Sequence, residues 1–208
     1  MDAVALIGHV RSSKLSPVEI VEAALVRIDQ LDAGLHAFCT LTPDIARAEA
    51  RRVEADLMAG CDPCLLAGIP VGHKDLLMTK GVRSTSGSLA YKDFIPREDD
   101  VVVERMRAAG AVMLGKTNVP EFGYSPTGHN PLFETTRNPW NLTLTSGGST
   151  AGSAAAAVSG MCPIAPGSDL PRFVDYMVSS HRWGGFRSTP GHVTSALRSS
   201  RDGNRSSI

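Results

Sequence analysis

Three short stretches carry residue types whose spacing could do chemistry. "GAVMLGKT", residues 110–117, fits the phosphate-loop template G-x-x-x-x-G-K-[ST], in which backbone N–H groups wrap phosphates and the lysine reaches them. Cys61 and Cys64 form a C-x-x-C in "AGCDPCLLAG", a spacing used for zinc and for thiol redox work. "TSGGSTAGSAAAAVSGM", residues 145–161, places Gly147, Gly148, Ser149 and Thr150 in a small-residue turn ahead of an alanine-rich helix of about 151–159, stopped by Gly160. Such a turn lets a second backbone or a substrate approach closely, and leaves hydroxyls and free N–H groups at a helix N-terminus. Plain capping of that helix by Ser149 or Thr150 is the alternative.

Which of these survives depends on the elements that hold them. "SPVEIVEAALVRIDQL" reads as a helix, with Ser16 as N-cap, Pro17 in the first turn and Glu19 completing a capping box. Val18, Val21, Ala24, Leu25 and Ile28 form its apolar stripe. "TPDIARAEARRVEADLMAG" repeats the scheme, capped by Thr42 and ended by Gly60. Residues 69–71 of "AGIPVGHKD" read as a short buried strand leading into His73, Lys74 and Asp75. "REDDVVVERMRAAG" is a further helix, opened by Asp99 or Asp100 and stopped by Gly110, with Glu104 and Arg107 spaced to pair on its surface.

Gly110 therefore ends a helix rather than a strand, and "AVML" after it reads as a buried strand containing Met113 and Leu114. Asn118-Val119-Pro120 is a poor helix opening, so the phosphate-loop match lacks its required setting. The C-x-x-C has no second pair to complete a zinc site, and Asp62-Pro63 makes it a loop between helix and strand.

With 21 basic and 21 acidic residues among 208, the chain has no net charge to attract nucleic acid or an anionic membrane. It contains no apolar run long enough to span a bilayer, and its first ten residues lack the basic start of a secretory signal. A cytoplasmic protein, with no direct nucleic-acid or membrane partner, is the expectation.

The blocks "SPVEIVEAAL", "GIPVGHKD", "GKTNVPEFGYS", "TRNPWN" and "SGGSTAGSAAAAVSGM" together resemble the amidase signature family. These are serine hydrolases of amide bonds that use a Ser–cis-Ser–Lys triad. The resemblance runs from about residue 4 to 169. It implies an α/β fold: the N-terminal portion of the family's domain, a mixed β-sheet covered by helices and truncated. Residues 1–191 would be a partial domain, with N-terminal helices to 60 and an α/β core portion from 61; 192–208 would be a disordered tail. "LGKTN" becomes a structural strand and turn beneath the active site. The substrate class is a small-molecule amide, with neither metal nor other cofactor. The stretch 118–141 looks more like the general amidases than like the A-subunit of the amidotransferase that makes Gln-tRNA.

By the same resemblance Lys74 in "GHKD" matches the catalytic lysine, and Ser149 the middle serine, whose preceding peptide is cis. A lysine acts as a base only when neutral, and burial in apolar surroundings favours that form. Ser149 would relay a proton between Lys74 and a nucleophile that attacks the amide, forms an acyl-enzyme and is released by water. Gly147, Gly148, Thr150, Ser168 and Asp169 would border the substrate and oxyanion region. His73 is either a packed neighbour of Lys74 or a second base, and Asp75 a supporting residue. Asp169 either orients the loop or makes a turn. Arg137, Asn138 and Trp140 would build the turn before the glycine loop.

The nucleophile departs from this pattern. The family continues after G-S-D as x-G-G-S, and its serine forms the acyl-enzyme beside glycine N–H groups of the oxyanion hole. Here Leu170-Pro171-Arg172-Phe173 follows Asp169, so Phe173 fills the nucleophile's slot and Pro171 lacks an N–H. The family pattern resumes at "GGFRSTPGHV". Residues 170–184 reflect either a restored frameshift or divergence into a non-catalytic relative. Ser168, five residues early, is expected on a strand and out of position. No fluorophosphonate labelling is expected, and unpaired edges of a truncated sheet would favour self-association.

Overall fold

The computed structural model describes residues 1–168. Asp169, Phe173, the altered loop 170–184, the boundary at 191 and the tail 192–208 lie outside the described residues.

The chain opens with α1 (Ala3–Arg11), which sequence reading missed; Asp2 caps it through the backbone N–H of Ala5. In α2 (Pro17–Leu35) the capping box forms in full between Ser16 and Glu19. A short strand, β1 (Phe38–Leu41), then leads into α3 (Pro43–Met58). Thr42 stands at the start of α3 without capping it, because its hydroxyl donates to the Met113 carbonyl instead. β2 (Pro70–Lys74) extends three residues beyond the expected strand end at 71, because His73 and Lys74 stay paired with the neighbouring strand. α4 (Val101–Ala108) and β3 (Val112–Thr117) follow. Arg107 does not pair with Glu104. It turns to the carboxylates of Asp99, at 2.6 Å, and Glu49, at 3.9 Å. Asp100 opens α4, but its carboxylate is taken by the Met78 N–H.

β3 is the centre of a mixed three-stranded sheet of order β1-β3-β2, antiparallel to β1 and parallel to β2. All six of its residues are buried, as expected of a strand covered on both faces. Lys116 and Thr117 belong to this strand, which leaves no room for a phosphate loop. A hairpin of β4 (Arg137–Asn138) and β5 (Asn141–Thr145) precedes α5 (Ala151–Val158), with Trp140 between its strands. After α5 the chain returns to the sheet, where Ile164 bridges Val71 in parallel.

The core gathers Val21, Ala24 and Ile28 of α2, Ala46 and Ala50 of α3, Val112 and Leu114 of β3, and Ala155 and Ala156 of α5. The alanines of α5 let that helix lie close to the sheet. Gly152 takes this furthest: a Cβ there would collide with the Ala37 carbonyl and the Asn118 backbone. Its N–H donates to the Asn118 carbonyl at 2.9 Å, pinning the first turn of α5 to the end of β3.

Candidate functional site

Lys74 ends β2 with its side chain wholly shielded from solvent. Its Nζ donates to three hydroxyls: Ser149 Oγ at 2.9 Å, Thr150 Oγ1 at 3.1 Å and Ser168 Oγ at 2.9 Å. A fourth contact, at 3.2 Å, runs to the Ser168 carbonyl. Two stretches of the chain, 149–150 and 168, thus converge on the amine at the end of β2.

The glycine turn delivers Ser149. Gly147 has φ of 81°, a left-handed conformation open to glycine, and the Gly148–Ser149 peptide is cis. A Cβ on Gly148 would lie 2.7 Å from the carbonyls of both Ser125 and Thr127, so the turn is packed under that loop. Gly123 packs beside the serine: a Cβ there would touch Ser149 at 3.8 Å and crowd Leu76 Cδ1 at 2.8 Å. The capping alternative fails. Thr150 is the N-cap residue of α5 but makes no side-chain cap; its hydroxyl bonds to Lys74 and donates to the Ser168 carbonyl at 3.1 Å.

Ser168 differs from its expected place. It lies in no assigned strand, four residues past the isolated bridge between Val71 and Ile164. Ser149 and Thr150 are 2% and 5% exposed, whereas Ser168 is exposed at the surface.

A second buried lysine lies one strand away. Lys116 Nζ donates to the Leu77 carbonyl, to Thr79 Oγ1 at 3.1 Å and to Ser84 Oγ at 2.9 Å, with Asp75 Oδ1 at 3.9 Å. Asp75 also accepts from the Thr85 hydroxyl and N–H, which ties the 75–86 loop to the strand ends. Burial pushes the Asp75 carboxyl up and the Lys116 amine down, and each charge partly offsets the effect on the other.

His73 points to the opposite face of β2 from Lys74. Burial, aided by the charges of Lys116 and Arg107, lowers its pKa to about 4, and its Nδ1 has no hydrogen-bond partner among the described residues. It is a packed neighbour of Lys74 rather than a base for the same site. Cys61 and Cys64 are exposed, free and outside any helix or strand.

Sequence reading missed the residues that hold the site together. Asn118 donates to the Glu134 carbonyl and to Thr136 Oγ1, and accepts Gly152 N–H on its own carbonyl. Thr117 and Ser153 share a buried hydroxyl contact of 2.6 Å between β3 and α5. The signal available was the run "KTN", whose polar residues interrupt an otherwise apolar strand.

A family model described as Amidase matches residues 19–170. The chain is 46% identical over 154 residues to the A-subunit of the glutamyl-tRNA(Gln) amidotransferase of Acaryochloris marina (strain MBIC 11017), covering 74% of this chain and 32% of that relative. Among solved structures it is similar to a chain of a vestigial protein complex described in connection with the evolutionary origins of an s-triazine catabolic enzyme. That match has a TM-score of 0.79 and 37% identity, over 81% of this chain and 37% of the other. It is also similar to a bacterial aryl acylamidase of the amidase signature enzymes, with a TM-score of 0.76 and 35% identity, over 79% and 34%. The chain spans about a third of the length of the curated relatives it matches. The α/β fold, with its mixed sheet and covering helices, is the one these structures share.

Proposed function

The chain belongs to the amidase family, and on that premise we propose that it carries the proton-handling half of an amide-hydrolysing site working by acyl transfer. Lys74 is the base, and Ser149 passes the proton between it and the group that attacks the amide. The observation that carries this reading is the 2.9 Å contact between Lys74 Nζ and Ser149 Oγ, sealed from water beneath the glycine turn. Gly147, Gly148, Thr150 and Ser168 border the substrate side, and the family resemblance gives Asp169 a place in the same region. The family's nucleophile is absent, since Phe173 occupies its slot, so amide turnover by the family's route is impaired or lost in this chain.

Ammonia release from simple aliphatic and aryl amides tests the reading. Little release is expected from the chain as written, and little more from Phe173→Ser alone, because Pro171 and Arg172 still stand where the family pattern has glycines. The combined change Pro171→Gly, Arg172→Gly and Phe173→Ser is expected to raise release, and Lys74→Met to remove the gain. Turnover unaffected by Lys74→Met would contradict the assignment.

A second reading, the A-subunit of an amidotransferase, is favoured by the 46% identity to a curated relative of that name. Glutamine consumed in preference to aryl amides by the combined variant would select it; the reverse preference would select a general amidase, as the 118–141 stretch led us to expect. Self-association remains part of the proposal, because β5 leaves Leu142 and Leu144 more than half exposed. Sedimentation as a monomer with sharp, reversible unfolding would argue against it. No helix among the described residues is long and apolar enough to cross a membrane.

A further inference from the structure

Lys74 touches three hydroxyls, and they are not equivalent. Ser149 and Thr150 are sealed in the interior, while Ser168 stands at the surface with its Oγ 2.9 Å from the same amine. A serine hydroxyl is a weak nucleophile until a base beside it takes the proton, and it reacts only where an acyl donor can reach it. Ser168 is the one hydroxyl of the three that meets both conditions.

We propose that Ser168 is an acyl-acceptor serine, driven by Lys74 and able to take the acyl group of an aryl ester in the chain as it stands. The proposal rests on the assignment of Lys74 as a base but not on any residue of the altered loop. It departs from the sequence-based expectation of an unreactive chain because Ser168 lies on Lys74 rather than along a strand.

The step balances without a co-reactant. Neutral Lys74 Nζ accepts the proton of Ser168 Oγ as that oxygen bonds to the carbonyl carbon of the ester. The tetrahedral adduct collapses with loss of the aryl oxide, whose electron pair leaves with it. The proton stays on Lys74, giving an ammonium with three N–H donors. Three acceptors already surround it: Ser149 Oγ at 2.9 Å, Thr150 Oγ1 at 3.1 Å and the Ser168 carbonyl at 3.2 Å. Water hydrolyses the acyl-serine in a second step, returning the proton to Ser168. An aryl oxide leaves unaided, whereas an amine must be protonated as it leaves. The Ser168 route therefore suits esters where amides fail.

The test is acylation of the full chain by p-nitrophenyl acetate. The release of p-nitrophenolate is followed in time, and the acetyl group is located by fragmentation of the tryptic peptide spanning residues 138–172. The expected result is a burst of one p-nitrophenolate per chain with the acetyl on Ser168. Lys74→Met should slow the burst by about a hundredfold, and Ser168→Ala should abolish it. Circular dichroism at each stage checks folding, and Ser168→Cys, alkylated by iodoacetamide faster than Cys61 and Cys64 only while Lys74 is present, gives a second readout. Acetyl found on another residue, or no burst from a folded chain, overturns the proposal and leaves the Lys74–Ser149 assignment standing. Acetyl on Ser168 at a rate indifferent to Lys74→Met overturns the base assignment itself.

Discussion

Lys74 and Lys116 sit on adjacent strands, both with no exposed surface, and they teach different things about a buried amine. Lys116 is closed on all sides: a carbonyl, two buried hydroxyls and the buried Asp75 carboxylate hold it, and Thr79 and Ser84 are as hidden as the lysine. Lys74 has a hydroxyl shell of similar size, but one member opens to the surface and two sit on the turn beneath it. Burial alone makes a lysine structural. Burial with an open hydroxyl in reach is the difference on which the proposed chemistry of Lys74 rests.

The largest expected effect falls on the closed lysine. Lys116→Met leaves the Asp75 carboxylate buried without its cation and is expected to cost roughly 3–5 kcal/mol, read from urea unfolding against the parent chain. A loss below about 1 kcal/mol would mean that Asp75 is already neutral in the fold.

His73 lies between the two and senses the Lys116 charge. Its pKa is depressed from 6.5 to about 4, so the folded chain resists protonation that the unfolded chain accepts. The stability tied to it is present above pH 6.5 and is lost as pH falls through 4, an effect of about 3 kcal/mol in all. His73→Phe should flatten that acid limb of the stability profile. An unchanged limb would assign it to other groups.

A smaller effect tests how α5 serves the open lysine. Gly152→Ala drives a methyl group against the Ala37 carbonyl and the Asn118 N–H and should cost about 1–3 kcal/mol. It should also slow any reaction that depends on Ser149, since the glycine turn feeds that helix. Least of all, Thr150→Val removes one hydroxyl from Lys74 and should cost about 1 kcal/mol. A cost as large as that of Lys116→Met would erase the contrast between the two shells.

Local chemistry made part of this molecule legible in advance. The Ser16–Glu19 capping box, the glycine stops at 60 and 110 and the buried run 111–114 depend on neighbours in sequence, and they stand where those neighbours place them. Lys74 and Ser149 were legible through family resemblance, because their surrounding blocks are specific. What escaped was settled by distant partners. β1 is four residues long and exists because β3 pairs with it. Arg107 ignored its helix neighbour for Asp99, which the chain entry to α4 brings closer. Ser168 lies where the return of the chain past Ile164 carries it, a position fixed by the packing of α5 on the sheet.

The most direct measurement sets the two lysines side by side: acylation by p-nitrophenyl acetate in Lys74→Met and in Lys116→Met, each below its own unfolding midpoint. We predict that Lys74→Met loses acylation while losing less stability than Lys116→Met, and that Lys116→Met keeps acylation. Acylation that depends on Lys116, or is indifferent to both amines, would contradict the division of roles between them.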